Sequence, residues 1–308
     1  MTSVSVIVPA RNAGNTLGAT LAGLARQQTP HPLEVVVVDD GSTDETALIA
    51  RRSSAVSDVV EAGGIGPARA RNAGVAASSG AALAFLDADC RPAHGWLAAG
   101  LRALEHADLV QGRVLPDPNC PRGPFDRTLF VTRAWGLFES ANLFVRRELF
   151  DRIGGFESWL VPRQGIELGE DVLFGWSARR IGARTAFADE ALAYHAVFPR
   201  SALEYVREFE RLRFFPAMAA RIPELRREFF YRRFFLSERS AAFDAALLGV
   251  LTALTSRRPL ALLAAGPYLE LVRRNRESPS VASVRAAGDL VGLIALLRGS
   301  TTARSLVI

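Results

Sequence analysis

The chain has 308 residues, of which 49% are hydrophobic and 22% charged, with a formal net charge of +5. That length holds one large α/β domain with an appendage, and the composition excludes bulk disorder. All 37 basic residues are arginine, and two cysteines, Cys90 and Cys120, exclude a disulfide framework or a zinc site made of thiols alone.

The chain opens on a buried strand pattern at residues 4–8 without the basic-then-apolar order of a signal peptide, so a cytoplasmic catalytic part is expected. Leu17, Leu21 and Leu24 then recur at helical spacing. Residues 34–38 form another apolar strand pattern, and 42–52 a helix opened by a Ser42/Glu45 capping box. A short strand at 58–61, a small-residue helix at 69–77 and an apolar strand at 82–86 follow. This rhythm predicts a mostly parallel sheet with helices on both faces, and ligands beyond the strands' carboxyl ends. Residues 116–127 read as a loop, 141–145 as a strand, 157–169 as a long loop and 170–181 as a helix. A boundary is expected near residue 200, where the β-like runs stop.

The polar residues after each strand carry the chemistry. Asp39 and Asp40 are adjacent like charges, which need donors or a ligand to balance them. The segment Gly64-Ile65-Gly66 lacks the third glycine of a dinucleotide fingerprint, which argues against a nicotinamide enzyme. Arg69 and Arg71 near a helix start suit an anionic phosphate; the alternative is a solvated helix face. Asp87-Ala88-Asp89 directly follows an apolar strand. It offers hard oxygen ligands for Mg²⁺ or Mn²⁺ shared with a diphosphate. Glu170 and Asp171 open a helix whose amides and dipole stabilise their charge, which predicts a lowered pKa for Asp171.

The segments SVIVPARNAGNTL, VVVVDDGSTDET and GPARARNAG, in this order, resemble the inverting glycosyltransferase family two over residues 3–198. The resemblance implies an α/β GT-A fold: a Rossmann-like mixed, mostly parallel sheet with helices on both faces. A C-terminal all-helical region would follow it. The expected divisions are 1–200 catalytic, 201–240 an Arg/Phe-rich amphipathic segment, and 241–308 apolar helices. Pro9, Arg11 and Asp40 would contact base and ribose, within a nucleotide-binding set that also holds Ala10, Asn12, Asp39, Arg69 and Asp87. Arg71 would face the base or diphosphate. Asp89 would be the direct metal ligand beside Asp87, with His195 closing onto the metal or diphosphate. Asp171 would be the general base and Glu170 its support, the reverse assignment staying open. Glu139, Asn142 and Trp159 would border donor sugar and acceptor, although Trp159 also fits an edge of the core. UDP- and GDP-sugars are the expected donors.

Residues 204–239 interleave arginine with phenylalanine, a pattern suited to anionic lipid or to single-stranded nucleic acid. The upstream motifs argue against nucleic acid. The apolar stretches 241–255 and 259–272 are too short to span a bilayer. The stretch 281–297 carries Arg285 and Asp289 at helical ion-pair spacing, so none reads as a clean transmembrane helix. The expectation is a peripheral protein on the inner face of the cell membrane with a lipid-linked or envelope-glycan acceptor; the alternatives are a helical cap and a soluble acceptor. A nucleotidyltransferase would carry a lysine in a glycine-rich loop, and this chain has no lysine. A binding protein without turnover would be expected to lack acids such as Asp89 and Asp171.

Overall fold

The computed structural model describes residues 3–161 and 167–308, so residues 162–166 of the expected 157–169 loop lie outside it. Contacts divide the chain into two compact units. One comprises residues 1–121 and 128–198, the other 122–127 and 199–308.

The first unit is built on one eight-stranded sheet. In chain order its strands are β1 (Val4–Ala10), β2 (Leu33–Asp39), β3 (Asp58–Glu61), β4 (Ala82–Leu86), β5 (Cys90–Pro92), β6 (Leu109–Pro116), β7 (Asn142–Arg146) and β8 (Thr185–His195). They lie in the order β3-β2-β1-β4-β7-β6-β8-β5. The first four are parallel, whereas β7 runs antiparallel to both β4 and β6. The inner strands β1, β2 and β4 are buried along nearly their whole length, because helices cover both faces. Those helices are α1 (Leu17–Leu24), α2 (Thr46–Arg52), α3 (Pro67–Ala76), α4 (Trp96–Leu104), α5 (Arg147–Ile153) and α6 (Glu170–Arg180). Phe174 of α6 packs 4.7 Å from the Phe156 ring, which meets Phe85 of β4 at 5.0 Å. These rings fix the start of α6 against the carboxyl end of β4.

One sequence expectation fails locally, and one strand went unread. Helix α2 starts at Thr46, and its N-cap Glu45 makes no capping bond, so the Ser42/Glu45 box does not form. Asp44 instead accepts from the backbone N–H groups of Gly14 and Thr46 at 2.9 and 3.0 Å, which draws the acid into a cross-loop tie. The unread strand is β6. Its run LVQGRVLP carries a register shift against β8 after Gly112, and this breaks the alternation that marks a strand. Asn142 sits inside this irregularity. Its Nδ2 donates to the carbonyls of Arg113 and Ala191 at 2.9 and 2.7 Å, and its Oδ1 accepts from the Trp96 indole at 2.8 Å.

The second unit is helical: α7 (Ala202–Glu208), α8 (Phe215–Arg221), α9 (Leu225–Glu228), α10 (Glu238–Ser256), α11 (Gly266–Arg274) and α12 (Pro279–Ala303). Single 3-10 stretches at Phe209–Phe214 and Pro259–Ala265 connect them. Of the phenylalanines of the Arg/Phe segment, Phe230 is buried, Phe209, Phe214, Phe215, Phe229 and Phe235 are half-buried, and Phe234 is exposed. Phe215 stacks on Phe229 at 5.8 Å, Phe229 meets Phe230, and Tyr205 meets Phe209. Phe209 also fills the surface left by Gly288 and Gly292 of α12, where an added Cβ would lie 3.1 and 3.0 Å from its ring. Residues 201–240 and 241–308 thus belong to one unit. Helix α12 has 25 residues and holds an 18-residue window of mean hydropathy 1.6, which by length and composition alone is enough to cross a membrane. The Arg285–Asp289 pair expected along it is not formed. Arg285 pairs with Glu277 at 2.6 Å and Asp289 with Arg239 at 2.9 Å, because Arg239 reaches in from α10.

Candidate active site

Arg71 organises the carboxyl end of the sheet. Pro67, at the start of α3, suits the first helical turn. One turn further on, Arg71 is only 5% exposed, so the solvated-face alternative fails for it. Its Nη2 lies 2.7 Å from Asp87 Oδ1 and its Nη1 3.2 Å from Glu170 Oε1. Burial works against its charge, but Asp87 and then Glu170 outweigh that and hold its pKa above the ordinary value. Both guanidinium arms therefore hold carboxylates. Nε is buried with no partner among the described residues. Arg69, one residue outside the buried face, is exposed.

Asp171 follows Glu170 on α6, behind Gly169, whose φ of +74° permits the tight entry. Its Oδ2 accepts from Ser140 N at 3.3 Å and its Oδ1 from Val172 N at 2.8 Å. Burial and the Glu170 charge nevertheless push its pKa well above the usual carboxylate range, with Glu139 adding to them and Arg71 opposing. The helix-dipole expectation of a lowered pKa is thus reversed, since desolvation and like charge outweigh the amide bonds. Burial pushes Glu139 up to about 7.

Asp89, Cys90 and His195 meet because Cys90 of β5 pairs in register with His195, the last residue of β8. Their ligand atoms lie within 4.8 Å of one another. His195 Nδ1 is 2.6 Å from the Ala196 carbonyl, an acceptor, so Nδ1 carries the proton. Nε2 then turns its lone pair toward Asp89 Oδ2, 3.5 Å away. Burial first, then Asp89 and Asp87, push the Cys90 thiol well up, which keeps it a weak ligand. A carboxylate and an oriented imidazole fit a divalent cation of the Mn²⁺ or Mg²⁺ kind. Asp87 is committed to Arg71 and belongs to a different contact from Asp89.

Backbone donors balance the paired acids at the end of β2. Asp40 accepts from Ile65 N at 2.6 Å and Gly66 N at 3.0 Å, and Asp39 from Ser42 N at 3.2 Å. Asn12, at φ +50°, joins the same turn through Ser42 Oγ and Thr43 N. Pro9 and buried Ala10 end β1, and Arg11 stands exposed beyond them. Trp159 donates its indole N–H to Gly169 O at 3.0 Å and is half-buried. Asn142 is fully buried with its amide engaged as above, so it does not border a sugar as expected. Two residues escaped the sequence reading of the site. Glu167 accepts from Ala68 N at 2.9 Å at the start of α3, and nothing around it in sequence marks it. Asn72 clamps Phe156 N and O at 2.9 and 2.8 Å; it was visible only as part of the Ala70-Arg71-Asn72 motif.

The family profile described as Glycosyl transferase family 2 matches residues 5–158. Glycosyltransferase AglE of Haloferax volcanii is 32% identical over 211 residues, covering 64% of this chain and 67% of its own. A 4,4'-diaponeurosporenoate glycosyltransferase of Staphylococcus aureus is 43% identical over 91 residues, 28% of this chain and 24% of that enzyme. Among solved structures, the mannosyltransferase PcManGT of Pyrobaculum calidifontis, in complex with GDP-Man and Mn²⁺, aligns at TM-score 0.56 and 22% identity. That alignment covers 98% of this chain and 87% of the other. S. aureus TarS in complex with UDP-GlcNAc aligns at TM-score 0.53 and 20% identity, over 98% and 92%. These likenesses agree with the mixed sheet flanked by helices, the GT-A architecture. By its profile match and its overlap with AglE, the chain belongs to glycosyl transferase family 2.

Proposed function

We propose that this protein is a metal-dependent inverting glycosyltransferase that moves a sugar from a nucleoside diphosphate to an acceptor hydroxyl, with Asp171 as general base. One observation carries the reading: Arg71 ties the turn bearing Asp87 and Asp89 to the helix bearing Glu170 and Asp171. Residues 1–200 would form the catalytic part. UDP- or GDP-sugar is the expected donor, since solved neighbours are bound to UDP-GlcNAc and GDP-Man. Pro9, Arg11, Asn12, Asp39 and Asp40 would border the nucleoside, and Arg69 and the Nε of Arg71 would face its phosphates. Glu170 holds Arg71 in place. A divalent cation held by Asp89 and His195 would neutralise the departing diphosphate.

Asp171 accepts the proton of the acceptor hydroxyl as its oxygen bonds to the anomeric carbon. The bond from that carbon to the diphosphate breaks on the opposite side, and configuration inverts. A base with a raised pKa suits proton abstraction near neutrality. Trp159, whose indole N–H bonds to Gly169 O, would border the sugar. An arginine-rich second unit favours an anionic membrane surface on the cytoplasmic side and a lipid-linked acceptor.

A panel of nucleotide sugars tests the reading. Asp171→Asn should bind the accepted donor normally and turn over roughly 10²–10⁴-fold more slowly. Excess chelator should abolish transfer, and Mn²⁺ or Mg²⁺ should restore it. Full transfer by Asp171→Asn would move the base to Glu170 or Glu139, and full activity in chelator would remove the metal.

A further inference from the structure

The second unit carries a helical hairpin that faces apolar residues outward. Its first leg is the last half of α10, and its second is the 3-10 stretch Pro259–Ala265 leading into α11. The legs meet through small residues: a Cβ on Gly249 would lie 2.5 Å from the Ala261 carbonyl and 2.9 Å from the Ala264 methyl. The large residues point away. Leu248, Leu251 and Leu254, three apart on α10, are 66, 50 and 73% exposed, and Leu260 and Leu263 are 79 and 75% exposed. Water would normally exclude such a row from a protein surface, and a contiguous patch of this kind marks an interaction face.

Charge selects the partner. Between Asp244 and Glu270 the sequence has no acid, and its two charges, Arg257 and Arg258, sit exposed at the hairpin bend. Arg273, Arg274 and Arg276 are exposed after the second leg. Leucines beside arginine fit the boundary between acyl chains and anionic headgroups. From Leu248 to Leu254 a helix rises about 9 Å, the depth of one interfacial layer, and neither leg approaches the ~30 Å of a bilayer core.

We propose that the bend of this hairpin, with Leu248, Leu251, Leu254, Leu260 and Leu263, inserts into one leaflet of an anionic membrane, and that Arg257 and Arg258 pair with its headgroups. This rests on the membrane-surface reading above but assigns the contact to the hairpin rather than to the Arg/Phe segment, most of whose rings are half-buried against one another.

The test uses the full chain and vesicles of phosphatidylglycerol with phosphatidylcholine. Leu254→Cys in a Cys120→Ser background, labelled with an environment-sensitive fluorophore, should shift to the blue with these vesicles; buried Cys90 stays unlabelled. Replacing Leu251, Leu254, Leu260 and Leu263 with Gln should abolish sedimentation with vesicles. The thermal transition should hold, since these side chains stand at least half exposed. Arg257→Gln with Arg258→Gln should weaken partitioning roughly thirtyfold, the equivalent of about 1 kcal/mol per charge. Binding that survives the leucine replacements overturns the hairpin assignment and leaves the membrane reading standing. An unmodified chain that ignores the vesicles overturns both. A blue shift without vesicles, in a chain that sediments as a dimer, overturns the proposal in favour of a second copy.

Discussion

Arg71 faces Asp87, Glu170 and Asp171, and Glu139 adds a fourth acid near Asp171. One guanidinium cannot neutralise four carboxylates, so protons remain on the group above the usual range. Proton affinity at Asp171 is therefore a property of its neighbours. Glu139→Gln removes a charge that raises Asp171, and the Asp171 pKa should fall. If Asp171 is the base, activity is lost as pH falls through its pKa. The acid limb of the kcat/KM profile should then move to lower pH in Glu139→Gln, while donor affinity above about pH 8 holds. An unmoved limb would detach Glu139 from the base. The sequence exposed Asp87, Glu170 and Asp171 through local context, as acids directly after an apolar strand and at a helix start. It also predicted the wrong direction for Asp171: the helix dipole can be read from chain order, whereas desolvation depends on what covers the carboxylate.

At the scale of elements, β6 and β8 decide how the site closes, and Asn142 decides how they fit. The irregularity after Gly112 leaves carbonyls that only a buried amide can reach. Asn142→Leu keeps the branched shape but strands the Trp96 indole N–H and the carbonyls of Arg113 and Ala191. Each stranded group costs about 1–3 kcal/mol, so a large drop in the denaturation midpoint is expected, with donor affinity retained in the folded fraction. A stable variant with weakened donor binding would return Asn142 to the sugar. The parallel strands β1, β2 and β4 were legible as continuous apolar runs because both their faces are buried. Strand β6 was not, since its pairing depends on distant partners, such as Val110 with Phe144 in β7 and with Ala186 in β8.

For the whole molecule, two sets of acids pull stability in opposite directions with pH. Glu139 at about 7 and Asp244 at about 6, with Asp171 and Asp289 also raised, bind more protons folded than unfolded. Burial is the first cause in each case. Their contribution is therefore largest near and below their unfolded pKa values and declines as pH rises toward 7 and beyond. Glu34, Asp108, Asp117 and Glu277 are lowered by bonds to hydroxyl, amide or arginine partners that outweigh burial. They stabilise above their unfolded pKa and lose that contribution as pH falls below about 4. The metal-free chain should thus be most stable near pH 5, and its thermal midpoint in chelator should be lower at about pH 8. An equal or higher midpoint at pH 8 would mean that these acids are better solvated than their burial implies.

By itself the sequence determined the family and the parallel half of the sheet, and it marked the strand-end and helix-start acids proposed for the site. Those features are local, being strand-end residues and short motifs whose side chains lie within a few positions of one another. Tertiary structure alone decided which carboxylate meets which nitrogen side chain. Arg71 reaches Asp87 and Glu170 across separations of 16 and 99 residues, and His195 reaches Asp89 only because β8 pairs with β5. It also decided which apolar residues stay in water. Composition marked both the Arg/Phe segment and the leucine stretches as candidates for lipid, and packing then half-buried most of the phenylalanines against one another and left the leucines of the hairpin outside. Burial is a property of the neighbours a side chain acquires, and sequence spacing carries that information only within a single helix or strand.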